Sequence, residues 1–219
     1  MRVVDYRLNA IVDASLLDVA PLAELAACAA RTGATLIQYR DKTASTRLMV
    51  ERAVSIGRAI AGTGVPFVIN DRVDVALAAN ADGVHLGAED MEPETARHIL
   101  GADAIIGVTV KSLPDADRAG RAPVNYACIG GVFETLSKVN PDPPVGIEGF
   151  RALRRRIYQL NPRLPVGAIA GITEDRINNV IASGADGVAA ISALFRMPDA
   201  AAAVSAFRKR IDESLRESV

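Results

Sequence analysis

Val65–Met91 reads VPFVINDRVDVALAANADGVHLGAEDM, and this stretch decides the fold. Two short apolar runs, Pro66–Ile69 and Gly83–Leu86, each end in a polar cluster: Asn70-Asp71 after the first, Gly87-Ala88-Glu89-Asp90 after the second. Val73–Ala79 between them has helical character, and Ala81-Asp82-Gly83 is its exit turn. Strand, helix and strand in that order need a crossover connection, so the two strands are expected to be parallel neighbours. Carboxylates at the carboxyl ends of both strands then lie close enough to share one divalent cation.

The same grammar extends outward in both directions. Upstream, strands are expected at Arg7–Val12 and Thr35–Tyr39, with helices at Pro21–Thr32 and Ser45–Ala61; Gly33, Gly62 and Gly64 follow the helices as stop signals. Downstream, strands are expected at Ala104–Val108, Tyr126–Ile129, Val166–Ile169 and Gly187–Ile191. Helices are expected at Pro93–Leu100, Pro114–Ala119, Ile147–Leu160, Glu174–Ser183 and Asp199–Leu215. The strands are short apolar runs without clear period-two alternation, as strands buried on both faces should be. Eight such strands alternating with eight helices imply an α/β fold, a closed (β/α)8 barrel forming one domain over 1–219, with a doubly wound open sheet as the alternative. Ala-Asp-Gly-Val occurs at Ala81–Val84 and again within Gly184–Val188, a helix-to-strand turn used twice.

Bulk composition narrows the function. Half of the 219 residues are apolar and the net charge is −1, with no acidic or basic tail. There is no basic stripe and aromatics are few, which argues against a nucleic-acid partner. No apolar run approaches the ~18 residues of a membrane span. Two cysteines, Cys28 and Cys128, give neither a disulfide framework nor a metal-ligand spacing and are expected to be reduced and packed, which suits the cytoplasm. Exposed helix faces leave room for a homodimer, although no stretch marks one.

In barrels the reactive groups sit at the carboxyl ends of the strands. Collected there, the polar residues form one constellation: Gln38, Arg40 and Lys42 at alternate positions, Asn70 and Asp71, His85 and Asp90, Thr109, then Thr135, Ser137 and Lys138, and finally Gly171 and Ser192. Hard oxygen ligands on Asp71 and Asp90 suit Mg²⁺, which takes one or two carboxylates plus phosphate oxygens and water. Arg40, Lys42 and Lys138 bring positive charge from opposite sides of the mouth, and helix N-termini after the last two strands offer N–H groups to a second phosphate. Two anion sites and one metal imply transfer of a group off a diphosphate, or its reaction with a phosphate, carried by positioning and charge stabilisation. Each residue also has a structural reading. Asp71 can cap the helix that follows it, Asp90 can start the turn into Pro93, Lys42 and Lys138 can be solvated loop lysines, and His85 reads as a hydrogen-bonded core histidine.

The segments Gln38–Lys42, Asn70–Asp74, Ala81–Gly87 with Glu89-Asp90, Ile106–Thr109, Gly130–Lys138, Ala168–Ile172 and Ala185–Ser192 resemble those of the thiamine-phosphate synthase family, over nearly the whole chain. The resemblance implies a pyrophosphate-releasing transferase. It joins 4-amino-2-methyl-5-hydroxymethylpyrimidine diphosphate to a thiazole phosphate by Mg²⁺-assisted loss of diphosphate and capture of a pyrimidine carbocation by the thiazole nitrogen. It implies that Asp71 and Asp90 ligate Mg²⁺, that Arg40, Lys42, Asn70 and Lys138 grip the diphosphate, and that Gln38 and Thr109 lie near the pyrimidine. It assigns Thr135, with Ser137 on the same loop, Gly171 and the Ile191-Ser192 amides to the thiazole phosphate. Gly131, Glu134, Ala170 and Val110-Lys111-Ser112 depart from the residues usual in that family. Two other readings share the fold: a thiazole tautomerase-like enzyme, and a barrel that binds a phosphorylated ligand without turnover.

Overall fold

The computed structural model describes residues 2–135 and 143–217. Its strands are β1 (Leu8–Asp13), β2 (Leu36–Arg40), β3 (Phe67–Asn70), β4 (Gly83–Leu86), β5 (Ile105–Val110), β6 (Tyr126–Ile129), β7 (Val166–Ile169) and β8 (Gly187–Ala190). Each pairs in parallel with the next, and β8 returns to β1 through Leu8↔Val188 and Asn9↔Ala189, so the sheet closes into an eight-stranded barrel. That closure excludes the open doubly wound sheet. The helices are α1 (Leu22–Thr32), α2 (Thr46–Ala59), α3 (Val73–Ala78), α4 (Pro93–Leu100), α5 (Leu113–Arg121), α6 (Gly146–Leu160), α7 (Ile177–Ala182), α8 (Ser192–Phe195) and α9 (Ala200–Glu217).

Four elements differ from the reading of the sequence. Strand β5 continues two residues past Val108, pairing Thr109 with Cys128 and Val110 with Ile129. The helix expected over Glu174–Ser183 is a single 3-10 turn, Glu174–Arg176, followed by α7; the Arg176 guanidinium reaches back to the Gly171 carbonyl at 2.7 Å. A 3-10 turn at Ala14–Leu16 and the one-turn helix α8 were not expected, because neither is long enough to show a period.

The floor of the barrel repeats one device. Thr35, Asp82, Asn125 and Asp186 stand just before β2, β4, β6 and β8. Their side-chain oxygens accept from the amides of Leu8, Phe67, Ile106 and Val166, at 2.8–2.9 Å, where the preceding strand begins. The recurrent Asp-Gly is therefore architectural. The Asp satisfies a strand-end amide, and a Cβ on Gly83 or Gly187 would sit 1.8 Å from Ile105 O or 2.1 Å from Tyr6 O.

Between the barrel and its helices lies the larger core; a smaller one fills the interior with Val4, Tyr6, Leu36, Val68, Ile105, Tyr126 and Cys128. The Tyr6 and Tyr126 rings lie 4.7 Å apart and plug the floor. They occupy space that strand side chains would otherwise claim. A Cβ on Gly167 would fall 1.7 Å from Tyr6 Cε1, and one on Gly107 2.0 Å from Tyr126 Cζ. Gly167→Ala is accordingly expected to overpack the floor and cost about 1–3 kcal/mol. Thermal melts of that variant and of Gly167→Ala/Tyr6→Leu check it: the double variant should recover part of the loss, and a single variant melting like the parent would refute the plug.

Candidate active site

With the floor sealed, the polar groups gather at the open, carboxyl ends of the strands. Asn70 ends β3 in register with His85 of β4. Asp71 follows in a left-handed conformation (φ 64), which Asp tolerates better than most residues, and its amide donates to the His85 carbonyl at 2.7 Å. The position before α3 is held by Arg72 with no side-chain cap bond. The Asp71 carboxylate instead receives the Lys42 ammonium, whose side chain is half exposed. The capping explanation of Asp71 thus gives way to an ion pair across β2 and β3.

Asp90 does two things. Its Oδ2 accepts from the Gly87 amide at 2.7 Å, closing the turn that follows β4 and not starting the one into Pro93. It also faces Asp71. Burial first, and the Asp71 carboxyl next, hold the Asp90 carboxyl above its usual range, although the Gly87 amide and Lys42 oppose them. Two oxygen donors forced together in this way fit a hard divalent cation, which relieves their repulsion. Among the described residues no three His, Cys, Asp or Glu side chains cluster, so any such ion would complete its shell from phosphate and water.

Arg40, at the end of β2, is held by a residue the sequence reading passed over. Its guanidinium pairs with Asp13 at the end of β1, and that carboxylate also accepts from the Ser15 amide at 2.9 Å. The signal was present, since Asp13 is a strand-end acid like Asp71 and Asp90. Only the register of β1 against β2, which pairs Asp13 with Arg40, connects it to the site.

Deeper in the mouth is a cavity of about 100 Å³ lined by Gln38, Arg40, Asn70, His85, Thr109 and Thr135 among others. His85 is buried, with Nε2 2.9 Å from Thr109 Oγ1 and Nδ1 3.0 Å from Tyr126 Oη. It is the hydrogen-bonded core histidine that the sequence suggested, and one of its partners, Thr109, is a candidate site residue. Cys128 is buried in the wall of the same cavity, and burial pushes its thiol up to about 12. Both cysteines are free, Cys28 only partly buried.

A second cavity, about 280 Å³, opens beside the first and is lined by Thr135, Ala170, Gly171, Thr173, Ile191 and Ser192 among others. Ala170 (φ 84) and Gly171 (φ 63) are both left-handed. Here only glycine fits at 171: a Cβ would lie 2.3 Å from Glu134 O and 2.7 Å from Phe133 Cβ, because the chain after β6 crosses directly over it. Arg176 clamps that crossing, its guanidinium 4.6 Å over the Phe133 ring. Glu134 is exposed. Ser137 and Lys138 lie outside the described residues.

The fold is a closed (β/α)8 barrel whose candidate site lies at the carboxyl ends of its strands, where barrel enzymes carry their chemistry. The family model described as thiamine monophosphate synthase matches residues 8–194. The thiamine-phosphate synthase of Agrobacterium fabrum is 66% identical over 216 residues, covering 99% of this chain and 98% of that protein. That of Chloroflexus aurantiacus is 38% identical over 206 residues, covering 94% and 93%. A solved thiamine phosphate pyrophosphorylase from Pyrococcus furiosus superposes with a TM-score of 0.83 at 36% identity, covering 96% of this chain and 98% of that one. The chain belongs to the thiamine monophosphate synthase family, transferases of thiamine biosynthesis that condense a pyrimidine and a thiazole moiety into thiamine phosphate. Among the described residues no helix is long and apolar enough to cross a membrane.

Proposed function

We propose that this chain condenses 4-amino-2-methyl-5-hydroxymethylpyrimidine diphosphate with thiazole phosphate, releasing pyrophosphate and thiamine phosphate. The observation that carries the reading is the mouth itself. An acid pair faced by Lys42 stands on one side with Arg40 nearby on Asp13, a cavity walled by Thr135, Gly171 and Ser192 stands on the other, and the Gln38 pocket lies between them.

Asp71 and Asp90 would hold a Mg²⁺ ion, which supplies positive charge to the departing diphosphate. Lys42 leaves Asp71 and, with Arg40, Asn70 and Lys138, binds the diphosphate oxygens. Asp13 keeps Arg40 aimed at them. Gln38 and Thr109 orient the pyrimidine as its methylene–oxygen bond breaks, the electron pair leaving with the diphosphate. Thr135, Ser137, Gly171 and the Ile191-Ser192 amides place the thiazole phosphate so that the ring nitrogen captures the pyrimidine carbon. The chain's task is to position and to stabilise charge; the reading uses no side-chain nucleophile. Retention of Arg40, Lys42, Asn70, Asp71 and Asp90 around one mouth favours the synthase over a tautomerase-like reaction, which has no diphosphate to hold.

The test is a product assay with both substrates and Mg²⁺, following thiamine phosphate by fluorescence after oxidation. Product should disappear with a chelator and in Lys138→Ala. No product, while both substrates still raise the melting temperature, would identify a binding barrel.

A further inference from the structure

The cavity beside β7 and β8 is the one proposed to hold a phosphate, yet among the described residues none that line it carries a charge. A cation stands behind its wall instead. Arg176, exposed on the 3-10 turn Glu174–Arg176, donates to the Gly171 carbonyl at 2.7 Å and lies 4.6 Å over the Phe133 ring. The Phe133 amide in turn donates to the Ala170 carbonyl at 3.2 Å. Ala170, Phe133, Arg176 and Gly171 thus close a ring of contacts that ties the chain leaving β6 to the chain leaving β7. Ala170 at φ 84 needs such a tie, because a residue with a side chain keeps that conformation only where its surroundings fix it. Thr135, two residues beyond Phe133, lines both this cavity and the deep one. Where the ring of contacts holds Phe133 therefore decides where Thr135 stands between the two halves of the mouth.

We propose, resting on the synthase reading above, that Arg176 is a positioning residue for the thiazole phosphate, acting through the Gly171 peptide and through Phe133. Two effects combine. The peptide after Gly171 is planar, so a carbonyl pinned by Arg176 also fixes the direction of the Ile172 amide. Ile172 lines the cavity, and its amide donates to no group among the described residues. A carbonyl bonded to a cation polarises its peptide, which makes that N–H a stronger donor toward an anion. The second effect is steric. The stacked Phe133 keeps the chain from β6 laid over Gly171, and so keeps Thr135 against the ligand. Arg176 itself touches no reacting atom. Apart from Lys138, the residues assigned to the diphosphate and its metal stand on or just after β2, β3 and β4, away from this ring of contacts.

The test is calorimetry with thiazole phosphate, and separately with pyrophosphate and Mg²⁺, on the parent chain, Arg176→Met and Arg176→Lys, beside steady-state kinetics. Arg176→Met keeps the apolar stem but neither the charge nor the donors. It should weaken thiazole phosphate binding by about 10-fold, the range of a hydrogen bond to a charged group. The KM for that substrate should rise alike, with kcat at saturation nearly unchanged. Arg176→Lys keeps the charge but cannot lie flat on the ring, and it should recover part of the loss. Pyrophosphate affinity should change by less than about threefold, as for a surface substitution remote from its site. If Arg176→Met does not fold, Phe133→Leu must show the same selective loss. Thiazole phosphate affinity unaltered in Arg176→Met, or pyrophosphate affinity falling in parallel, overturns the proposal. Thiamine phosphate formed by the parent, with an unaltered KM in Arg176→Met, defeats this proposal and leaves the synthase reading standing. A selective loss of thiazole phosphate binding, with no product even from the parent, defeats the synthase reading and supports the role of Arg176.

Discussion

Asp71→Asn is expected to reduce Mg²⁺-dependent turnover by about 10²–10³-fold, as loss of a charge-stabilising group in an active site commonly does, while leaving the fold nearly as stable as before. Three observations make folding indifferent to this carboxylate. It caps no helix, since Arg72 stands at the start of α3 without a side-chain bond. Its pair with Lys42 is half solvated at the lysine end, and such pairs contribute about 1 kcal/mol or less. Its left-handed φ of 64 is one that Asn adopts readily. Removing the charge also eases Asp90, whose carboxyl is held above the usual range by burial and then by Asp71. The sign follows. With Asp90 raised, the folded chain binds more protons than the unfolded chain, so metal-free stability falls as pH rises from the ordinary carboxyl range through the raised value. In Asp71→Asn that decline should shrink, and the upward shift of the melting temperature by Mg²⁺ should be lost. Steady-state kinetics and melts across pH, with and without the ion, decide it. A loss of activity matched by an equal loss of stability would return Asp71 to a structural role.

Asp71 was legible because it is an acid at the carboxyl end of a short apolar run, and a barrel sends such positions to one rim. Asp90 followed from the same rule, and so did Arg40 and Lys42, two residues apart. The rule stopped short at Asp13, whose meaning depends on the pairing of β1 with β2. Thr109 stands among the strand-end candidates, yet the sequence closes β5 at Val108, before it, because Thr-Val continues a strand or starts a loop equally well. The interior was the least visible part. In strands buried on both faces no alternation separates residues that face the helices from those that face the barrel. Gly107 and Gly167 gave no hint that Tyr126 and Tyr6 fill their space. Ala170 is a further case: its φ of 84 is imposed by the chain crossing from β6, and no local residue announces it.

Asp41 carries the largest stability prediction, although it lies between two residues of the candidate site. Its side chain turns away from Arg40 and Lys42 and is 1% exposed. Oδ1 accepts from the Thr43 and Ala44 amides, both at 3.0 Å; Oδ2 accepts from Tyr39 Oη at 2.9 Å and from Arg52 at 2.6 Å. These donors, with the Thr43 hydroxyl at 3.4 Å, shape the loop between β2 and α2, and that loop sets where Lys42 stands. Asp41→Ala strands the buried Tyr39 hydroxyl and the Arg52 guanidinium together and should cost about 3–5 kcal/mol, a fall in melting temperature of roughly 6–20 °C for a chain of this size. Burial pushes the Asp41 carboxyl upward, but the two amides, Tyr39 and Arg52 outweigh it, and the carboxyl is held below the usual range. Its contribution is therefore complete above the ordinary carboxyl value and is lost as pH falls through the depressed one. Asp41→Asn, which keeps a carbonyl for the amides but no charge for Arg52, should lose less stability at neutral pH and show a flatter acid limb than the parent. Below its own melting temperature it should also bind pyrophosphate about 10-fold more weakly, because Lys42 is no longer held in place. Melts from neutral to acid pH beside pyrophosphate calorimetry test both halves. An acid limb as steep in Asp41→Asn as in the parent would mean that the loop is held by Ser45 and α2 instead of by this carboxylate.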